Sequence, residues 1–86
     1  MPSLSTFYGI IIWMFYNDHH PPHFHVEYGE FKAEISIETL DILAGDIPRR
    51  SFTMVLEWAV LHRKELLEDW ELCRNKLQPK KIDPLE

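Results

Sequence analysis

The sequence predicts an α+β domain: a three- or four-stranded, mainly antiparallel sheet with a C-terminal helical segment packed on one face. Three observations predict it. Residues 7–38 are rich in β-branched and aromatic residues, and two stretches alternate apolar with polar at period two. Between those two stretches stands Gly29-Glu30, a two-residue hairpin loop with glycine in the first place, as a type II′ turn prefers. From Arg49 to about Lys76 the chain holds neither Gly nor Pro, and apolar residues recur at helical spacing. Eighty-six residues make one domain, β-rich over 1–45, helical over 47–77 and extended over 78–86.

The first strand is expected over Phe7 to Tyr16. Ile10, Ile12 and Met14 share one face, and Ile11, Trp13 and Phe15 share the other. Both faces are apolar, which predicts cover on both sides. The C-terminal tail, a second copy or another protein would have to supply the second cover. Asn17 to Pro22 cannot continue the strand, since two prolines remove backbone donors and Asn-Asp favours a turn.

His23–Tyr28 and Phe31–Glu38 form the hairpin. With Gly29 and Glu30 as its loop, Tyr28 pairs with Phe31, Val26 with Ala33 and Phe24 with Ile35, an apolar face throughout. The other face pairs Glu27 with Lys32, His25 with Glu34 and His23 with Ser36. A short fourth strand is expected over Asp41 to Ala44. Gly45-Asp46 then leads to Pro48, a helix-start signature. The helical stripe runs Phe52, Val55, Leu56, Ala59, then Leu66, Trp70, Cys73 and Leu77, with a gap at His62-Arg63-Lys64. One straight helix of that length would reach about 40 Å at 1.5 Å per residue, too long for so small a domain. The spacing therefore predicts one bent helix or two, with the break near Arg63. Ile82 and Leu85 can dock the tail.

Composition narrows the function. A net charge of −5 disfavours a sequence-independent grip on nucleic acid, which needs clustered Lys and Arg. The lone Cys73 excludes an internal disulfide framework and, with no basic leader at Met1-Pro2-Ser3, predicts a cytoplasmic location. The apolar run Phe7 to Tyr16 is too short to span a bilayer, so no membrane role is expected.

Four of the five histidines fall in one run, Asp18-His19-His20-Pro21-Pro22-His23-Phe24-His25. Histidine titrates near neutrality and is the commonest metal ligand. Three readings stand open. In the first, His23 and His25 share a strand face and one ion, possible companions being His19 or His20 from the turn; a divalent transition metal such as zinc suits such ligands. In the second, His23 and His25 act as acid and base on a phosphodiester, with Glu34 orienting His25 and Arg49, Arg50 and His62 supplying a cationic clamp. Arg49 and Arg50 would then form an anion site. In the third, Asp18 caps the turn and the histidines are structural.

The whole chain resembles a bacterial domain-of-unknown-function family, 4160 (DUF4160). The resemblance rests on Phe7-Tyr8-Gly9-Ile10-Ile11-Ile12, the Asp-His-x-Pro-Pro-His-x-His run with Val26, and Glu27-Tyr28-Gly29-Glu30. Gly45-Asp46-Ile47-Pro48-Arg49-Arg50, Glu57-Trp58-Ala59 with His62-Arg63-Lys64-Glu65-Leu66, and Lys81-Ile82-Asp83-Pro84-Leu85 extend it. It implies a small stand-alone protein, often encoded beside a second small protein of another uncharacterised family (DUF2442), as in toxin–antitoxin-like modules. No catalytic residues come with the resemblance. The leading expectation is therefore a component of a two-gene module acting through protein–protein contact, with Trp13, Phe15 and Trp70 as partner-contact candidates and a homo-oligomer as a further option. A small His-dependent nuclease or hydrolase and a metal-binding regulator are the alternatives.

Overall fold

The hairpin register read from the alternation is the one the chain adopts. In the computed structural model, which describes residues 3–86, β3 (His23–Tyr28) and β4 (Phe31–Ser36) pair antiparallel with Tyr28 opposite Phe31, Val26 opposite Ala33, His25 opposite Glu34 and His23 opposite Ser36. Gly29 takes φ +57, the positive value the first loop position requires.

The sheet has five strands rather than three or four. The one not expected is β1 (Ser3–Phe7); β2 (Ile10–Trp13) lies within the strand expected over Phe7 to Tyr16, β5 (Ile42–Asp46) is the fourth, and the order β1-β2-β3-β4-β5 is antiparallel throughout. The single strand expected over Phe7 to Tyr16 is instead a corner and one shorter strand. Tyr8 and Gly9 both take positive φ, 49 and 79, and reverse the chain in two residues. A tyrosine there carries no turn signal, because bulky side chains are disfavoured at positive φ. A register shift between Ser3 and Ser5 leaves both Leu4 and Ser5 buried, so β1 lacks clean alternation.

The fourth strand expected over Asp41–Ala44 is β5, which begins at Ile42 and runs on through Gly45 and Asp46. Leu43 is an extra residue between the pairs Ile35–Ile42 and Glu34–Ala44. Gly45 sits opposite Ala33 with φ +81, and a Cβ there would lie 2.2 Å from the Lys32 carbonyl oxygen.

Two helices follow, α1 (Arg49–Leu61) and α2 (Arg63–Arg74), divided at His62. No Gly or Pro makes this break. His62 leaves helical geometry with φ −122 and ψ 20, its ring lies 5.5 Å from that of Trp58, and its Nδ1 is 2.6 Å from the Glu65 carboxylate. Arg63 then donates from Nε to the Ile37 carbonyl at 3.1 Å, tying the start of α2 to the end of the sheet. Among the described residues no helix is long and apolar enough to cross a membrane.

The helices cover one sheet face. Val55, Trp58, Ala59, Leu66 and Cys73 close over Ile10, Ile12, Phe24, Val26, Ala33 and Ile35. Trp58 is fully buried, its ring near those of Phe7 and Phe24, and its indole N–H donates to the Asp83 carbonyl at 2.7 Å. The tail is extended and docked: the Ile82 N–H donates to the Leu4 carbonyl, the Lys80 N–H to Asp69 Oδ1, and Leu85 packs on the core. The tail thus runs along β1 and does not supply the second cover expected for β2. Ile11, Trp13 and Phe15 remain half-buried on the open face. Leu77 leaves the helical stripe and is 54% exposed, since α2 stops at Arg74 and Lys76 takes φ 59.

Gly45→Ala meets both positive φ and backbone atoms. It is expected to lower stability by about 2 kcal/mol, read as a fall in the urea midpoint without a change in slope.

Candidate metal centre

Period two turns His23 and His25 together away from the main core, with ring centroids 5.1 Å apart. The turn before β3 brings a third group to them. Pro21 and Pro22 stiffen this turn, and the Asn17 N–H fastens its start to the Cys73 carbonyl on α2 at 2.9 Å. Asp18 folds back so that its Oδ2 lies 3.0 Å from His23 Nε2 and 3.0 Å from His25 Nε2. Its other oxygen, Oδ1, accepts the His19 N–H at 2.8 Å. Asp18 therefore caps the turn, as the sequence reading has it, and also joins the histidines.

His23 is only 1% exposed although it faces away from the main core. The Trp70 ring, 5.3 Å away, covers it. His23 Nδ1 donates to the Pro21 carbonyl oxygen at 2.7 Å. A carbonyl oxygen only accepts, so Nδ1 carries the proton. In the neutral ring Nε2 then presents a bare lone pair. It faces two carboxylate oxygens, Asp18 Oδ2 at 3.0 Å and Glu34 Oε1 at 3.6 Å. A buried lone pair against anionic oxygens is unfavourable unless a cation lies between them. A second ring proton meets that need, and so does a metal ion.

The spacing suits an ion. Ligand atoms arranged tetrahedrally at 2.0–2.1 Å from zinc are about 3.3 Å from one another. Asp18, His23 and His25 each offer one ligand atom, all within 4.8 Å of one another, and His19, His23 and Glu34 form a second such set. The Nδ1–carbonyl bond on His23 is the outer contact that fixes a metal-binding histidine's tautomer. Two histidines and one carboxylate suit several divalent transition metals.

Partial burial alone would raise the Asp18 carboxyl. The His25 hydrogen bond, the His19 N–H and the nearness of the His23 and His25 rings outweigh it and hold the pKa below the usual 3.8. Asp18 is thus a carboxylate at neutral pH, the form that binds metal.

Other candidates fall elsewhere. His25 meets Asp18 rather than Glu34, whose carboxylate approaches His23. His19 is exposed at the rim, with Nδ1 2.9 Å from Asp18 Oδ1. His20 turns away to stack edge-on against Trp70 at 5.8 Å. Arg49 and Arg50 are exposed in the first turn of α1, and among the described residues neither guanidinium contacts the histidines. No cationic clamp is assembled there. Trp70, read as a partner-contact candidate, is 2% exposed and belongs to the core around His23. Trp13 and Phe15 flank His25 on the open face, Phe15 edge-on at 4.1 Å. Cys73 is buried, and burial with Asp69 nearby pushes its thiol up to about 11, so it is no nucleophile at neutral pH.

A family model described as "Domain of unknown function (DUF4160)" matches residues 9–71, and the chain belongs to that family. No curated protein and no solved structure matches the chain.

The depressed Asp18 carboxyl sets a pH prediction. A group whose pKa is lowered on folding contributes stability present above the unfolded value and lost as pH falls through the folded one. Wild type should lose stability below about pH 3.8 more steeply than Asp18→Asn, in urea midpoints measured from pH 7 to pH 2.5.

Proposed function

Within a family that carries no assigned activity, we propose that this protein binds one divalent transition metal through Asp18, His23 and His25. Glu34 approaches the same His23 nitrogen at 3.6 Å, and His19 stands at the rim. The observation that carries this is His23, whose Nδ1 proton is committed to the Pro21 carbonyl while Nε2 faces two carboxylates. The centre is of the open kind. His25 and Glu34 both line a cleft on the uncovered sheet face, whereas structural zinc sites close all four positions with tightly held protein ligands. A nuclease built on the same histidines has less support, because Arg49, Arg50 and His62 are not gathered around them.

The test is titration of metal-stripped protein with Co²⁺ and Zn²⁺. One equivalent should bind, with visible cobalt bands, and saturation at about a hundredfold excess over Kd should stabilise the fold by about 2.7 kcal/mol. Asp18→Asn and His25→Ala, each checked for folding, should weaken binding at least tenfold. His20→Ala should not. Equal binding by all four proteins would sink the proposal.

A second reading keeps the partner-contact role in a toxin–antitoxin-like module. It is favoured by Val60 and Leu61, which stand 61% and 71% exposed side by side where α1 ends. Coexpressed with a DUF2442 protein of the kind the resemblance implies as a neighbour, the wild type should co-elute on gel filtration, and Val60→Lys/Leu61→Lys should elute alone. Separate elution of the wild type would remove this reading.

A further inference from the structure

The uncovered face of the sheet is hollowed into a cleft of about 330 Å³ that lies across β2 to β5. Trp13 and Phe15 form one wall, while Ala44 and Gly45 on β5 leave the far side open through their lack of bulk. The cross-strand pairs explain the shape. Trp13 stands opposite His25, His25 opposite Glu34, and Glu34 opposite Ala44, so one row of side chains runs from large to small across the sheet. Two of its members, His25 and Glu34, also belong to the clusters around His23.

The cleft and the metal centre therefore share residues, and a molecule in the cleft would lie beside the ion. Volume sets the size of that molecule. Small-molecule sites run from about 300 to 1,000 Å³, and this one sits at the low end, with room for one ring and a short polar group. Charge sets its kind. Besides His25, the charged side chains of the lining are Glu27, Lys32 and Glu34, two acids against one base, and Lys32 stands opposite Glu27 in the hairpin register. Apart from the ion itself, a nucleotide or other polyanion would find Lys32 as its one cationic side chain in the lining, with two carboxylates against it. An uncharged ring would meet the indole and phenyl faces, where aromatic contact is favourable.

We propose that this cleft is the ligand subsite of the metal centre and takes a small compound that bears an apolar ring and an oxygen donor. The ring lies against Trp13 and Phe15, and the oxygen donor faces the ion beside His25 and Glu34. This rests on the metal reading above and adds to it the class of ligand.

Cobalt-loaded protein tests both claims at once. Benzohydroxamate and acetohydroxamate carry the same metal-binding group and differ in the ring. Each is titrated into the cobalt protein, with the visible bands as readout and adenosine monophosphate as a third probe. Benzohydroxamate should bind at least tenfold more tightly than acetohydroxamate. That ratio should fall to near one in Ala44→Phe, which fills the cleft from the exposed edge, and in Phe15→Ala, which removes one wall. Cobalt bands with equal affinity for the two hydroxamates would overturn the ring subsite and leave the metal centre standing. Tighter binding of adenosine monophosphate than of benzohydroxamate would overturn the ligand class. Absence of cobalt bands in the folded protein would overturn both.

Discussion

Everything in this molecule depends on one-sided cover of the sheet. Two short helices are enough to bury one face of five short strands, and Trp58 is the side chain that joins the layers. It fills the space beside Phe7 and Phe24 and spends its indole N–H on the Asp83 carbonyl of the tail. Truncating a buried tryptophan to alanine costs about 3–5 kcal/mol, against a total of roughly 4–13 kcal/mol for a chain of this length. Helix, sheet and tail are therefore held by a contact worth a large part of the whole. The opposite face, with no layer left to cover it, is where His25, Trp13 and Phe15 remain within reach of a ligand.

The proposed metal centre is a product of that asymmetry and of one stiff turn. Strand alternation sets His23 and His25 side by side, but a strand alone would leave them in solvent. The turn is pinned at Asn17 to the end of α2, and Trp70 from the same helix closes over His23. His23 consequently is buried with its tautomer chosen by Pro21, while His25 faces the cleft. A rigid, half-open arrangement of this sort would give a metal ion fixed ligands on one side and access on the other.

The parts hidden from sequence reading share a cause. The β1–β2 corner was invisible because Tyr8 occupies a backbone conformation that its side chain disfavours, and the apolar run simply continues across it. The break at His62 is legible as a gap in the stripe, although the Arg63 bond to Ile37 that ties α2 to the sheet there spans 26 residues of sequence. Arg49 and Arg50 looked like an anion site only while their distance from the histidines was open. Trp70 looked like an interface residue because an aromatic on a helix reads the same whether a partner or a histidine lies beneath it.

Local rules determined a good deal. Alternation set the β3–β4 register and hence the shared face of His23 and His25, Gly29 set the hairpin loop, and the interrupted helical stripe set a C-terminal helical layer. These follow from side-chain periods and turn sterics, which act over a few residues. Tertiary structure alone decided that Asp18 is the carboxylate meeting both histidines, that His23 is buried and His25 is not, and that Ala44 and Gly45 open a cleft beside them. Each of those needs the backbone to close a turn or align strands across the sheet. The distances that result depend on the packing of α2 against the turn, for which five or seven residues of sequence separation give no measure.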